Sequence, residues 1–94
     1  MKTARDHLAS QSVIPAPPPD ATHVLLWEPY GPSRARWVLV PLDGSPDDVA
    51  AFLDGPPDLH PGKLLEEVAG ALGRPVRLSQ IEADGDVAYY ITPA

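Results

Sequence analysis

With 94 residues, thirteen acidic side chains against seven basic ones and a formal charge of −6, the chain is sized for one domain and repels a phosphate backbone at long range, which argues against general nucleic-acid binding. It has no cysteine, so disulfides, thiolate metal sites and cysteine nucleophiles are excluded. No apolar segment follows a charged start and none approaches the roughly 18 residues needed to span a bilayer, so a cytoplasmic protein without membrane contact is expected.

Residues 1–11 carry a helix signature, with Thr3 as cap and Asp6 three positions later, but an isolated helix this short is marginal in water. Ile14-Pro15-Ala16-Pro17-Pro18-Pro19-Asp20 follows, where fixed φ angles and missing N–H groups impose an extended polyproline path. Pro15 and Pro18 satisfy P-x-x-P without a basic anchor beside them, a weak signal for a ligand of aromatic-grooved domains. Residues 1–22 are therefore expected to form a flexible proline-rich tail, and 23–94 a single α+β domain. The tail is electrically balanced, Lys2 and Arg5 against Asp6 and Asp20, so the negative charge belongs to the domain.

The first strands, His23 to Glu28 and Arg36 to Val40, carry large apolar side chains on both faces. Alternate strand residues point to opposite sides, so Leu25 and Trp27 oppose Val24 and Leu26, and Trp37 and Leu39 oppose Val38 and Val40. A chain this short is expected to cover one sheet face with its own helices and to leave the second to something outside the protomer. The loop Glu28-Pro29-Tyr30-Gly31-Pro32-Ser33 joins the two strands as a hairpin of ambiguous register.

Ser45-Pro46-Asp47-Asp48 supplies a cap, a proline at a first helical position and acids in a first turn, and Val49, Phe52 and Leu53 make an apolar stripe before Gly55, which predicts a short helix. Pro56-Pro57-Asp58-Leu59-His60 leads to a second helix opened by Pro61, with Leu64, Leu65, Val68, Ala71 and Leu72 at helical spacing before Gly73 and Pro75. The last two strands flank Asp84-Gly85, the pattern of a two-residue hairpin turn. That turn pairs Glu82 with Val87, Gln80 with Tyr89 and Leu78 with Ile91, placing Val76, Leu78, Val87, Tyr89 and Ile91 on a core face. Arg77, Ser79, Ile81, Ala88, Tyr90 and Thr92 fall on a solvated or lightly engaged one. The expected architecture is a four-stranded, mainly antiparallel sheet in ββααββ order with two short helices packed on one face.

Catalytic chemistry finds little support. His7, His23 and His60 have no partner at metal-binding spacing, and His60 beside Asp58 reads as a local pair or a helix cap. Asp84 and Asp86 lack the further oxygen ligands of a calcium loop, Ser12, Ser33, Ser45 and Ser79 lie in no nucleophile context, and the glycines form no phosphate loop. No catalytic residue, metal or cofactor is therefore assigned.

Trp, Tyr and Arg dominate binding hot spots, and they gather around the first hairpin. The expected function is a non-enzymatic interaction or regulatory module. A homodimer is the default association, with another protein as the other partner class, through Leu25, Trp27, Tyr30, Arg34, Arg36, Trp37 and Leu39. Two alternatives remain. One is a small ligand-binding protein or enzyme with a pocket between helices and sheet, using His60, Arg36 or Tyr90; Arg36, Arg74, Arg77 and Tyr90 are its candidate contacts to an anionic ligand. The other is an acidic nucleic-acid mimic built on the seven acids between Asp43 and Glu67, which would inhibit a DNA-binding partner.

Overall fold

A computed structural model describes residues 2–11, 14–31, 34–54, 61–83 and 86–94, the side chains at 29–31, 34, 35, 54, 83 and 86 excepted. In chain order the elements are helix α1 (Ala4–Ala9), strands β1 (His23–Gly31), β2 (Arg34–Pro41) and β3 (Ala51–Asp54), helix α2 (Pro61–Leu72), and strands β4 (Val76–Ala83) and β5 (Asp86–Pro93). The strands form one antiparallel sheet in the order β3-β2-β1-β5-β4.

The β1–β2 register, undetermined by the sequence, sets Trp27 opposite Trp37 and Leu25 opposite Leu39, with an irregularity between Pro29 and Gly31. Both indoles thus share a face. The β4–β5 register is the one expected, Glu82 with Val87, Gln80 with Tyr89 and Leu78 with Ile91. Its Asp84-Gly85 turn lies outside the described residues, as do Gly55, Asp58 and His60.

Each sheet face is buried under a different part of the chain. On one, Leu64 and Val68 of α2 pack on Leu25, Trp37, Leu39, Val76, Tyr89 and Ile91, and the Trp37 and Tyr89 rings sit 5.8 Å apart at 52°. The tilted arrangement suits the ring quadrupoles. On the other face, Ala4 and Leu8 of α1, with Ile14 and Ala21, pack on Val24, Val38, Val40, Leu42 and Tyr90.

The N-terminal segment is tied down by polar contacts as well. Thr3 and Asp6 form the reciprocal capping box that the sequence implied. The Ala4 and Arg5 amides donate to the carbonyls of Gly44 and Leu42, at 2.8 and 2.9 Å. Arg5 donates through Nη1 to the Pro18 carbonyl at 2.8 Å and through Nη2 to the Ala21 carbonyl, and its Nε lies 3.6 Å from Asp43. Tyr90 donates its hydroxyl to the Pro15 carbonyl. Polyproline geometry makes no ladder of internal bonds, so Arg5 and Tyr90 serve the Pro18 and Pro15 carbonyls from outside the path, and the Ala21 amide adds a turn bond to Pro18 at 3.1 Å.

Three expectations are corrected. The sheet has five strands, not four, because β3 takes the place of the first expected helix. Ser45 and Asp48 do form the capping contacts, the Ser45 amide donating to Asp48 Oδ2 at 2.9 Å and the Asp47 amide to Ser45 Oγ at 3.3 Å, but they close a turn only. A helix there would have to stop before Pro56-Pro57 and would gain little by propagating, whereas β2 has an open edge that Ala51–Asp54 pairs. The order is therefore αβββαββ and not ββααββ: of the two helices expected on one face only α2 forms there, and the other helix, α1, lies on the opposite face. And the second apolar face is covered by the protomer's own Ala4, Leu8, Ile14 and Ala21 rather than by an outside body, and Ala88 and Tyr90 are buried on the side expected to be lightly engaged.

Leu8 distinguishes a docked segment from a tail. Leu8→Ala is expected to lower the free energy of unfolding by about 2–3 kcal/mol, the range for a partly collapsing core truncation. Urea melts measure it; a change below about 0.5 kcal/mol, the size of an ordinary surface substitution, would show the segment detached in solution.

Candidate interaction surface at the β3 edge

Among the described residues the outermost strands are β3 and β4, and each presents one row of backbone groups that the sheet does not pair. Their side chains differ. Along β4, Arg77, Ser79, Gln80 and Glu82 are exposed, a polar edge with both charge signs that discourages further pairing. At β3 the exposed groups are apolar: Phe52 is 52% exposed and Val49, in the turn leading to it, 43%. Among the described residues the other exposed large apolar side chain is Val87, at the far end of the β4–β5 ribbon.

Register explains why Phe52 stands out. It pairs with Val38 and so lies on the same face as α1, beyond the area that the N-terminal segment covers, while Ala51 and Leu53 turn toward the α2 layer and are half-buried. The Arg36 guanidinium stacks over the Phe52 ring, 3.9 Å from its centroid, and also bridges to Glu28 at 3.2 Å. Cation–π contact holds the ring against the sheet and leaves its outer side in water. Asp43, Asp47 and Asp48 are exposed in the connection feeding β3, and Asp54 ends the strand.

The residues singled out in the sequence scatter. Leu25, Trp37 and Leu39 are at most 1% exposed beneath α2, so they are core and not surface. Trp27 is half-buried in the same layer, and among the described residues neither its indole Nε1 nor that of Trp37 has a hydrogen-bond partner. Such groups cost roughly 1–3 kcal/mol each. The side chains of Tyr30 and Arg34 lie outside the described residues. The four candidate anion contacts do not converge: Arg36 pairs with Glu28 and Arg77 with Thr92, at opposite ends of β1 and therefore at least about 17 Å apart along the strand direction. Arg74 follows α2 on the other face, and Tyr90 is buried with its hydroxyl committed to Pro15. No three histidine, aspartate or glutamate side chains among the described residues come together as metal ligands, and no described helix is long and apolar enough to cross a membrane.

The β3 edge is not legible in the sequence because a capping signature and an i, i+3, i+4 stripe outweigh the short apolar run of Ala51, Phe52 and Leu53. The adjacent Gly55-Pro56-Pro57 was the available warning, since it leaves too few residues for a stable helix. No protein-family model, curated protein or solved structure matches the chain.

His23 is the titrating group whose environment departs most usefully from water. Its Nδ1 contacts Thr22 Oγ1 at 2.8 Å; partial burial and the nearby Arg74 charge hold its pKa below 6.5, with Asp43 pulling the other way. The unfolded chain then binds a proton before the native one does, so stability is expected to fall as pH drops through and below 6.5. Urea melts at pH 7.5 and 5 should show this loss reduced in His23→Gln, and an NMR titration should place the His23 midpoint below 6.5. At the alkaline end, burial pushes the Tyr90 phenol up, against the pull of Arg5, so native stability declines above the ordinary tyrosine range.

Proposed function

We infer that the protein is a non-enzymatic interaction module that docks another protein chain on the β3 edge. One observation carries the reading: the exposed apolar groups Val49 and Phe52 coincide with an open, short sheet edge, while the opposite edge is polar. A strand edge offers main-chain hydrogen bonds for affinity, and an aromatic beside it offers a side-chain pocket for selectivity. Association through Leu25, Trp37 and Leu39 would require those side chains to leave the α2 layer, which makes the first hairpin a poor docking surface. The docking role supports a regulatory part played by contact rather than by turnover.

The reading is tested by site-specific photocrosslinking in the native host. A benzophenone amino acid at Phe52 is expected to trap a discrete protein adduct, and the same probe at Glu82 on the β4 edge is expected to trap none. Equal labelling from both positions, or none from Phe52, would remove the β3 edge as the functional surface.

A further inference from the structure

We propose that the α2 side of the sheet carries a small-molecule site, in which a neutral apolar compound with a carbonyl group lodges against the β1–β2 ribbon and its oxygen accepts from the indoles of both Trp27 and Trp37. The site is separate from the β3 edge and goes beyond the docking role inferred above.

The orphaned donors point to it. Trp27 and Trp37 are register partners on adjacent strands, and both belong to the α2 layer. Opposite residues of an antiparallel pair have Cβ atoms about 4.5–5.5 Å apart, so the two side chains are immediate neighbours. Both Nε1 atoms are buried and, among the described residues, have no hydrogen-bond partner; Trp37 as a whole is 1% exposed. An interior indole N–H ordinarily finds an acceptor, and two orphans side by side form a pattern that packing alone does not explain. The side chains of the layer are apolar apart from the indoles and the Tyr89 hydroxyl. That hydroxyl accepts from neither, although the Tyr89 and Trp37 ring centroids are 5.8 Å apart.

The surroundings select the chemistry of the occupant. Indole N–H only donates, and a carbonyl oxygen has two lone pairs, so one carbonyl can serve both rings. A carboxylate also accepts, but it would enter an apolar layer without a counter-charge, at a high desolvation cost. Among the described side chains, Arg36 and Arg77 lie on the α1 side, and Lys63 is exposed beside Glu66 and Glu67. Arg74 acts on His23, four residues along β1 from Trp27 and so roughly 13 Å away in the strand direction. A neutral acceptor avoids the missing counter-charge. The rest of the compound meets hydrocarbon at the margin of the layer. Leu53 pairs with Trp37, Leu53, Trp27 and Leu65 are only half-buried, and Val87, on the same face two residues before Tyr89, is exposed. That margin is the way in.

Trp27 and Trp37 are the chain's only tryptophans, so their two Nε1–H signals in a nitrogen–proton correlation spectrum report on the site directly. Cyclohexanone is the probe, compared at equal concentration with cyclohexane, which lacks the acceptor, and with cyclohexanecarboxylate, which adds charge. With the intact chain, cyclohexanone is expected to shift both indole signals saturably, with an affinity about tenfold or more above that of either analogue. A second measurement replaces Trp37 with its sulfur isostere β-(3-benzothienyl)alanine, which keeps the ring shape and deletes the donor. The melting temperature is expected to hold or rise, because an orphan is removed, while cyclohexanone affinity falls about tenfold or more; a purely structural tryptophan would not split the two readouts in this way. A melting temperature lowered by several degrees shows that the donor already has a partner in the free protein, and overturns the proposal. Equal binding of cyclohexane reduces the site to a greasy crevice and overturns it too, as does a carboxylate that binds as tightly as the ketone. So does the absence of a saturable shift at the indoles. The Phe52 crosslink stands or falls separately.

Discussion

Everything in this molecule follows from a central β-ribbon that is apolar on both sides. β1 and β2 set Leu25, Trp37 and Leu39 against one layer and Val24, Val38 and Val40 against the other. At about 25 cal/mol per Å² of buried apolar surface, leaving either side wet forfeits more than a small domain's usual margin of stability. The chain resolves this with two unequal covers. One is a twelve-residue amphipathic helix, and the other is a six-residue helix continued by a proline-rich path. The second cover has little regular structure of its own, and it is held by an arginine fork, a tyrosine hydroxyl and backbone bonds to the β2–β3 connection.

Proline content makes that cover workable. Four of the thirteen prolines lie in it, Pro15, Pro17, Pro18 and Pro19; they lower the entropy the unfolded segment would otherwise lose, and a polyproline path enters the folded state already extended. Arg5 donates to the Pro18 carbonyl within the path and to Ala21 just beyond it, and Tyr90 donates to Pro15, which also explains how a tyrosine on the sheet's supposedly solvated side comes to be buried.

Legibility in the sequence varied with the range of the interaction. The cap of α1 at Thr3 and Asp6, the whole of α2 and the β4–β5 register were readable, because each is decided by residues within a few positions of one another. The two-sided apolar character of β1 and β2 was also readable; its consequence was not, since nothing local says that residues 4–21 fold back across a sheet whose last strand ends at residue 93. Residues 45–54 show the opposite failure. Their local capping pattern is real and is satisfied, yet the open edge of β2 turned the residues behind it into a strand. The candidate surface at Phe52 is hidden by that same local pattern, while Trp37 of the aromatic hairpin, together with Leu25 and Leu39, is interior.

The hydrogen bond from Tyr90 to Pro15 joins residues 75 positions apart, and β1 finds its second neighbour only in β5. Neither layer can therefore be completed on the ribosome until β5 has cleared the exit tunnel. Until then the nascent ribbon carries Trp27, Trp37 and their aliphatic neighbours in the open. A chain built this way keeps that ribbon uncovered until its latest-made strand arrives, so its yield in a foreign host is expected to rise with holdase supply during synthesis.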